Sequence, residues 1–129
     1  MDSQTPPGRT PPGHLPIDVA TISATVEATL GGYETLPRHE DLEATRLRLY
    51  GHLMLLIPEI TTLAQARPRE DVDRNLAFAA IGEAVRVLRA GPGTGLVSAM
   101  KHAQRLARGC RALLHHHERL TVVGSTPEG

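Results

Sequence analysis

Residues 42–65, LEATRLRLYGHLMLLIPEITTLAQ, decide the fold. Within this stretch Leu42, Arg46, Leu49, Leu53, Leu56, Ile60 and Leu63 recur in alternating steps of four and three, and all but Arg46 are apolar. That period places side chains along one stripe of an α-helix, and sustained over this length it makes a seam for packing against other helices. Pro58 falls inside the stretch, where its ring removes one amide donor and crowds the carbonyl of Met54. The seam keeps its register on both sides, so the spacing predicts one long helix over 38–66 with a kink at Pro58 rather than an end.

Working outward, Val19, Ile22, Val26 and Leu30 fall three or four apart, predicting a shorter helix that starts near Asp18 and stops at Gly31 and Gly32. After Pro68, the acids Glu70, Asp71 and Asp73 suit the positive end of a new helix. This third helix runs to about Ala90 and carries apolar residues around most of its circumference, which predicts that it is the most buried of the set. GPGTG at 91–95 supplies a glycine stop and a tight reversal. The last helix, Leu96 to Leu120, sets Met100, Ala103, Leu106, Ala107, Cys110, Leu113, Leu114 and His117 on one side, against Lys101, Arg105, Arg108, His115, His116 and Arg119 on the other.

The expected fold is therefore all-α: an antiparallel bundle of three long helices with a shorter N-terminal helix on one flank. The bundle spans 17–120. Residues 1–16 hold five Pro and two Gly with little to bury and are expected to be a disordered tail, and 121–129 are expected to fray.

Composition agrees with this. The chain has 129 residues, 17 Leu and 15 Ala but only three aromatics, so helix formers dominate its core. One length of this size supports a single domain. Its 14 basic and 14 acidic side chains balance to zero, and 40% hydrophobic content excludes disorder along the whole length. A single cysteine, Cys110, excludes an internal disulfide. The start lacks the apolar run of a signal peptide, and no stretch approaches the ~20 apolar residues of a membrane span, so a cytoplasmic protein is expected.

Four segments taken together carry a resemblance: GHLMLLIPEI at 51–60, AFAAIGEA at 77–84, GPGTGL at 91–96 and HAQRLARGCRALLHHHERL at 102–120. They resemble small actinomycete proteins of unknown function, sometimes labelled as natural-product biosynthesis proteins. The resemblance covers about residues 42–120. It implies a setting in specialised metabolism and brings no catalytic residue with it.

Candidate chemistry is sparse. His52 and Glu59 lie two turns apart on one flank of the second helix, where a His and a carboxylate could share acid–base work. The alternative is a polar pair at the edge of the core. Glu83 projects among apolar neighbours on the third helix, so a partner from another helix is expected, with Arg46 and His117 as candidates. These four residues, His52, Glu59, Glu83 and His117, form the candidate polar site. No Glu is followed by a His three residues later, and no HExxH occurs, so neither a dinuclear carboxylate centre nor a metalloprotease is expected. The sequence calls for no cofactor and no metal. His115, His116 and His117 point in three directions around a helix and cannot converge on one ion. Cys110 sits on an apolar face and reads as a small hydrophobe.

Charge is distributed unevenly, net −4 over 1–66, +1 over 67–95 and +3 over 96–129. Lys101, Arg105, Arg108 and Arg119 make a candidate cationic face, open to phosphates, to an acidic protein or to water alone. The favoured reading is a non-enzymatic interaction or accessory factor, binding a protein partner or itself. A small-molecule or metal site inside the bundle, possible catalysis included, is the alternative, and DNA binding through the last helix is a third.

Overall fold

The computed structural model describes residues 17–32 and 36–122. Within them the chain forms four α-helices: α1 (Val19–Leu30), α2 (His39–Gln65), α3 (Val72–Ala90) and α4 (Leu96–Val122). The expected all-α bundle is what forms, and α4 runs two residues past Leu120. The proposed tail over 1–16 and the end over 123–129 lie outside the described residues.

Local chemistry sets the boundaries. Asp18 caps α1, its Oδ1 accepting from the Thr21 amide at 3.0 Å. Asp71 does the same for α3, accepting from the Arg74 amide at 2.9 Å. Gly91, at φ +71, ends α3 in the left-handed region that glycine enters without strain. At Gly93, φ +72, an added Cβ would also lie only 3.0 Å from Ser98 Oγ. The α2 helix continues unbroken through the exposed Pro58.

The seam of α2 is the centre of the core: Leu42, Leu49, Leu53, Leu56, Ile60 and Ala64 are buried. They meet Ala103, Leu106, Ala107, Cys110 and Leu113 of α4, with Ile22 and Val26 of α1 closing one flank. The α4 helix packs against all three others, whereas α1 and α3 do not touch among the described residues.

This arrangement corrects one expectation. The α3 helix is not the most buried, because only Ala77 and Ala84 are fully enclosed, and Val72 and Leu76 remain 68% and 52% exposed. Burial follows the number of neighbours, and α3 has two. The helices with three, α2 and α4, are the enclosed ones, α4 despite its row of charges.

Candidate functional site

Three surface features arise from this packing. The first is the seam between α3 and α4. Arg119 Nη2 lies 3.1 Å from Asp73 Oδ1, joining the start of α3 to the end of α4. At the other end the His102 imidazole, buried on α4, donates from Nε2 to the Val87 carbonyl at 2.9 Å. Val87 belongs to the last turn of α3, whose carbonyls have no helical donor, so His102 acts as a cap supplied from another helix.

Between these two ties the facing residues are small. A Cβ on Gly109 would come 3.9 Å from Ala84 Cβ, and the antiparallel register set by Asp73 and Arg119 brings Ala80 opposite Ala112. The seam is consequently open from outside as a groove of about 260 Å³, floored by Ala80, Ala84, Val87, Gly109 and Ala112 and rimmed by Glu83, Arg105 and Arg108.

The second feature is a cleft of about 340 Å³ between α1 and α2, lined by Thr25, Thr29, Thr45 and Arg48 with Ala24 and Ala28. The α1 hydroxyls bond back into their own helix, Thr25 to the Thr21 carbonyl at 3.1 Å and Thr29 to the Thr25 carbonyl at 2.8 Å. His52 Nε2 stands 3.4 Å from Thr25 Oγ1 beside this cleft. Because the Thr25 hydrogen already points at Thr21, the imidazole is the donor. Partial burial and the nearby Arg48 hold His52 below the ordinary imidazole range, against a smaller opposing pull from Asp18.

The third is a ridge on the outer side of α2. Leu47, Tyr50 and Met54, spaced three and four apart, are 57%, 38% and 57% exposed. Gly51, also exposed, has open space where a side chain would be.

With the geometry set out, the comparison with known proteins is short. Residues 20–122 match the model of a family of unknown function, DUF6415. The chain belongs to that family. No curated protein and no solved structure matches it. For the DUF6415 chain, then, the site must be read from its own side chains.

The four residues of the candidate polar site do not form one cavity. His52 packs beside α1, and Glu83 stands on α3, which α1 does not touch. Glu83 is exposed, and its partner comes from its own helix, Arg86 at 2.6 Å, rather than from Arg46 or His117. The expectation that it would be buried fails for the same reason as the burial of α3. Arg46 is likewise paired within its helix, to Glu43 at 2.8 Å, a contact that holds the Glu43 carboxyl below its usual range. Glu59 and His117 are each partly buried. Among the described residues no group of three or more His, Cys, Asp or Glu is placed to hold a metal ion.

The cationic face is divided. Arg119 is occupied by Asp73, while Lys101, Arg105 and Arg108 are exposed. The sequence reading passed over two side chains that organise the bundle. One is His102, whose spacing of four from Leu106 and eleven from Leu113 does place it on the buried side of α4. The other is Arg67, which contacts Asp71 at 3.2 Å and Asp73 at 3.6 Å and donates to the Leu120 carbonyl at 3.2 Å, capping α4 across 53 residues of sequence.

Cys110 is wholly buried, its thiol 3.7 Å from the Leu49 carbonyl, and burial pushes its pKa up to about 12. A thiolate nucleophile needs the opposite environment. No helix among the described residues is long and apolar enough to cross a membrane.

Proposed function

We propose that the protein is a non-enzymatic interaction module and that one of its partners is a second copy of itself, paired through α2. The observation that carries this reading is the ridge of Leu47, Tyr50 and Met54, three large apolar side chains left in water on the longest-seamed helix of the bundle.

The ridge is self-complementary. A two-fold axis between residues 50 and 51 lays α2 antiparallel on its copy and brings Leu47 against Met54 of the partner and Tyr50 against the partner's Gly51. The ring then enters the dent that Gly51 leaves. Under the same operation the acids at 40, 41 and 43 meet positions 61, 60 and 58, which are Thr, Ile and Pro, so no like charges oppose one another. Such a symmetric, isologous contact is the commonest form of homodimer. The ridge is narrower than the ~800 Å² per partner of a standard stable interface, so the pairing is reversible and follows concentration. An accessory or regulatory role in the cytoplasm is part of this reading, and the resemblance of the segments at 51–60, 77–84, 91–96 and 102–120, taken together, suggests a setting in specialised metabolism.

Sedimentation of the intact chain over a range of concentrations, together with oxidation of a Leu47→Cys/Met54→Cys variant, tests this. A monomer–dimer equilibrium and a covalent dimer in the double variant are expected, with no covalent dimer from Val97→Cys, which is equally exposed on α4. A strictly monomeric protein, or cross-linking no greater than at residue 97, overturns the reading.

A further inference from the structure

The α3–α4 groove stands apart from the α2 ridge and does not depend on it. Its origin is physical: Asp73–Arg119 and Val87–His102 tie the helices at two places, and between them the groove is floored by Ala80, Ala84, Val87, Gly109 and Ala112. Nothing there is long enough to cover the seam, which leaves an apolar recess about 10 Å long, the rise of the two turns from residue 80 to residue 87.

The charge on the rim is one-sided. Glu83 already holds Arg86 at 2.6 Å. Arg105 and Arg108, one turn apart on the α4 rim, have neither ion pair nor hydrogen bond among the described residues, although Arg119 farther along the same helix is paired. Two guanidinium groups over a hydrocarbon floor complement a ligand with an anionic head and an apolar body. The planar fork of arginine matches a carboxylate in two-point contact, and the apolar floor weakens competition from water.

We propose that this groove binds a compact organic carboxylate, its head group between Arg105 and Arg108 and its hydrocarbon part lying along Ala80, Ala84, Val87 and Ala112. The recess is short, two helical turns, and the Val87–His102 tie bounds it at one end, which suits a medium-chain or single-ring acid. A partner helix would rest on the rim and leave the 260 Å³ below it unfilled.

Octanoate is the probe, titrated into the full chain and followed by amide and methyl NMR shifts, with octanol and octyltrimethylammonium as neutral and cationic counterparts. Saturable shifts confined to the alanines and valine of the groove are expected for octanoate alone. The exposed Arg105→Gln/Arg108→Gln pair should weaken binding by about tenfold or more, as loss of charge-assisted hydrogen bonds does. Ala112→Leu, which fills the floor, should abolish it, and Arg111→Gln, outside the groove, should leave it unchanged. Unsaturable or scattered shifts, equal binding of octanol, or full affinity in the Arg105→Gln/Arg108→Gln protein overturns the assignment. Occupation by an acidic amphipathic peptide but not by octanoate overturns it in favour of a protein partner.

Discussion

Asp73 at the start of α3 is held from two sides by arginines of other segments, with Arg119 of α4 at 3.1 Å from one carboxylate oxygen and Arg67 after α2 at 3.6 Å from the other. Three helices are thereby fastened at one end of the bundle. Asp73 and Arg67 are each only 16% exposed, whereas Arg119 is 54% exposed. Removing the shared carboxylate leaves a largely enclosed guanidinium short of a partner, and removing Arg119 does not.

Asp73→Ala is therefore expected to cost about 1–3 kcal/mol of stability. Arg119→Ala should cost under about 1 kcal/mol, the range of exposed ion pairs. Urea unfolding of the two variants beside the parent protein checks the ordering, and equal small losses would show that Asp73 acts only as a surface ion pair.

Cys110 should be silent to thiol reagents in the folded protein. With its thiol pushed up to about 12 and no exposed surface, it has almost no thiolate at pH 8 and no route for an attacking reagent. One equivalent should react with a chromogenic disulfide once the chain is unfolded in guanidinium, and none before. This silence is also what makes the paired-cysteine test at residues 47 and 54 readable.

Stability should fall as pH drops below about 6.5. His52 is held low by burial and Arg48 against a weaker pull from Asp18, and His116 by burial and His115 against a weaker pull from Asp73, with a smaller push from Arg119. In the unfolded chain both return to the ordinary value of about 6.5. Between that value and the lower folded one, the unfolded state binds more protons, so acidification favours unfolding, and the contribution is complete only above about 6.5. Urea midpoints at pH 5 and 7.5 measure the loss, and His52→Gln with His116→Gln should flatten the dependence over that interval.

How far the sequence reaches is clear from particular residues. The 3.6-residue period located α2 within one residue at either end, because a buried stripe constrains every turn of the helix that carries it. Gly31 and Gly91 marked stops for the same local reason. What periodicity does not encode is the number of neighbours a helix acquires, and so the apolar circumference of α3 predicts the most buried helix where the fold has one with only two neighbours. Nor does it encode contacts such as Val87–His102 or Arg67–Leu120, which depend on how the helices meet. The Glu83–Arg86 pair was legible, being three apart on one helix, but the apolar neighbourhood drew attention to more distant partners.

The edge position of α3 gives an opposite forecast for leucines of similar spacing. Leu76 is half in water, so Leu76→Gln should change stability by no more than about 0.5 kcal/mol. Leu53 is fully buried in the α2 seam and lies against the position where Gly109 of α4 comes close, 3.7 Å from a Cβ placed there. Leu53→Ala should cost about 2–5 kcal/mol through the lost burial and the cavity left behind.

His102 offers the sharpest separation of packing from hydrogen bonding. Its ring is 2% exposed, its Nε2 hydrogen caps the Val87 carbonyl at the end of α3, and its Nδ1 has no hydrogen-bond partner. A leucine at 102 keeps most of the volume and removes both the cap and the unsatisfied nitrogen. An alanine removes the cap and leaves a cavity as well. His102→Leu should therefore cost about 1–2 kcal/mol, close to the value of one buried hydrogen bond, and His102→Ala about 2–4 kcal/mol. Amide exchange should show the difference in kind: in His102→Leu the loss of protection concentrates at the C-terminal turn of α3 and the 91–95 loop, because that is where the released carbonyl lies. If the two variants lose protection uniformly and by the same amount, the imidazole is only filling space and the cap contributes nothing.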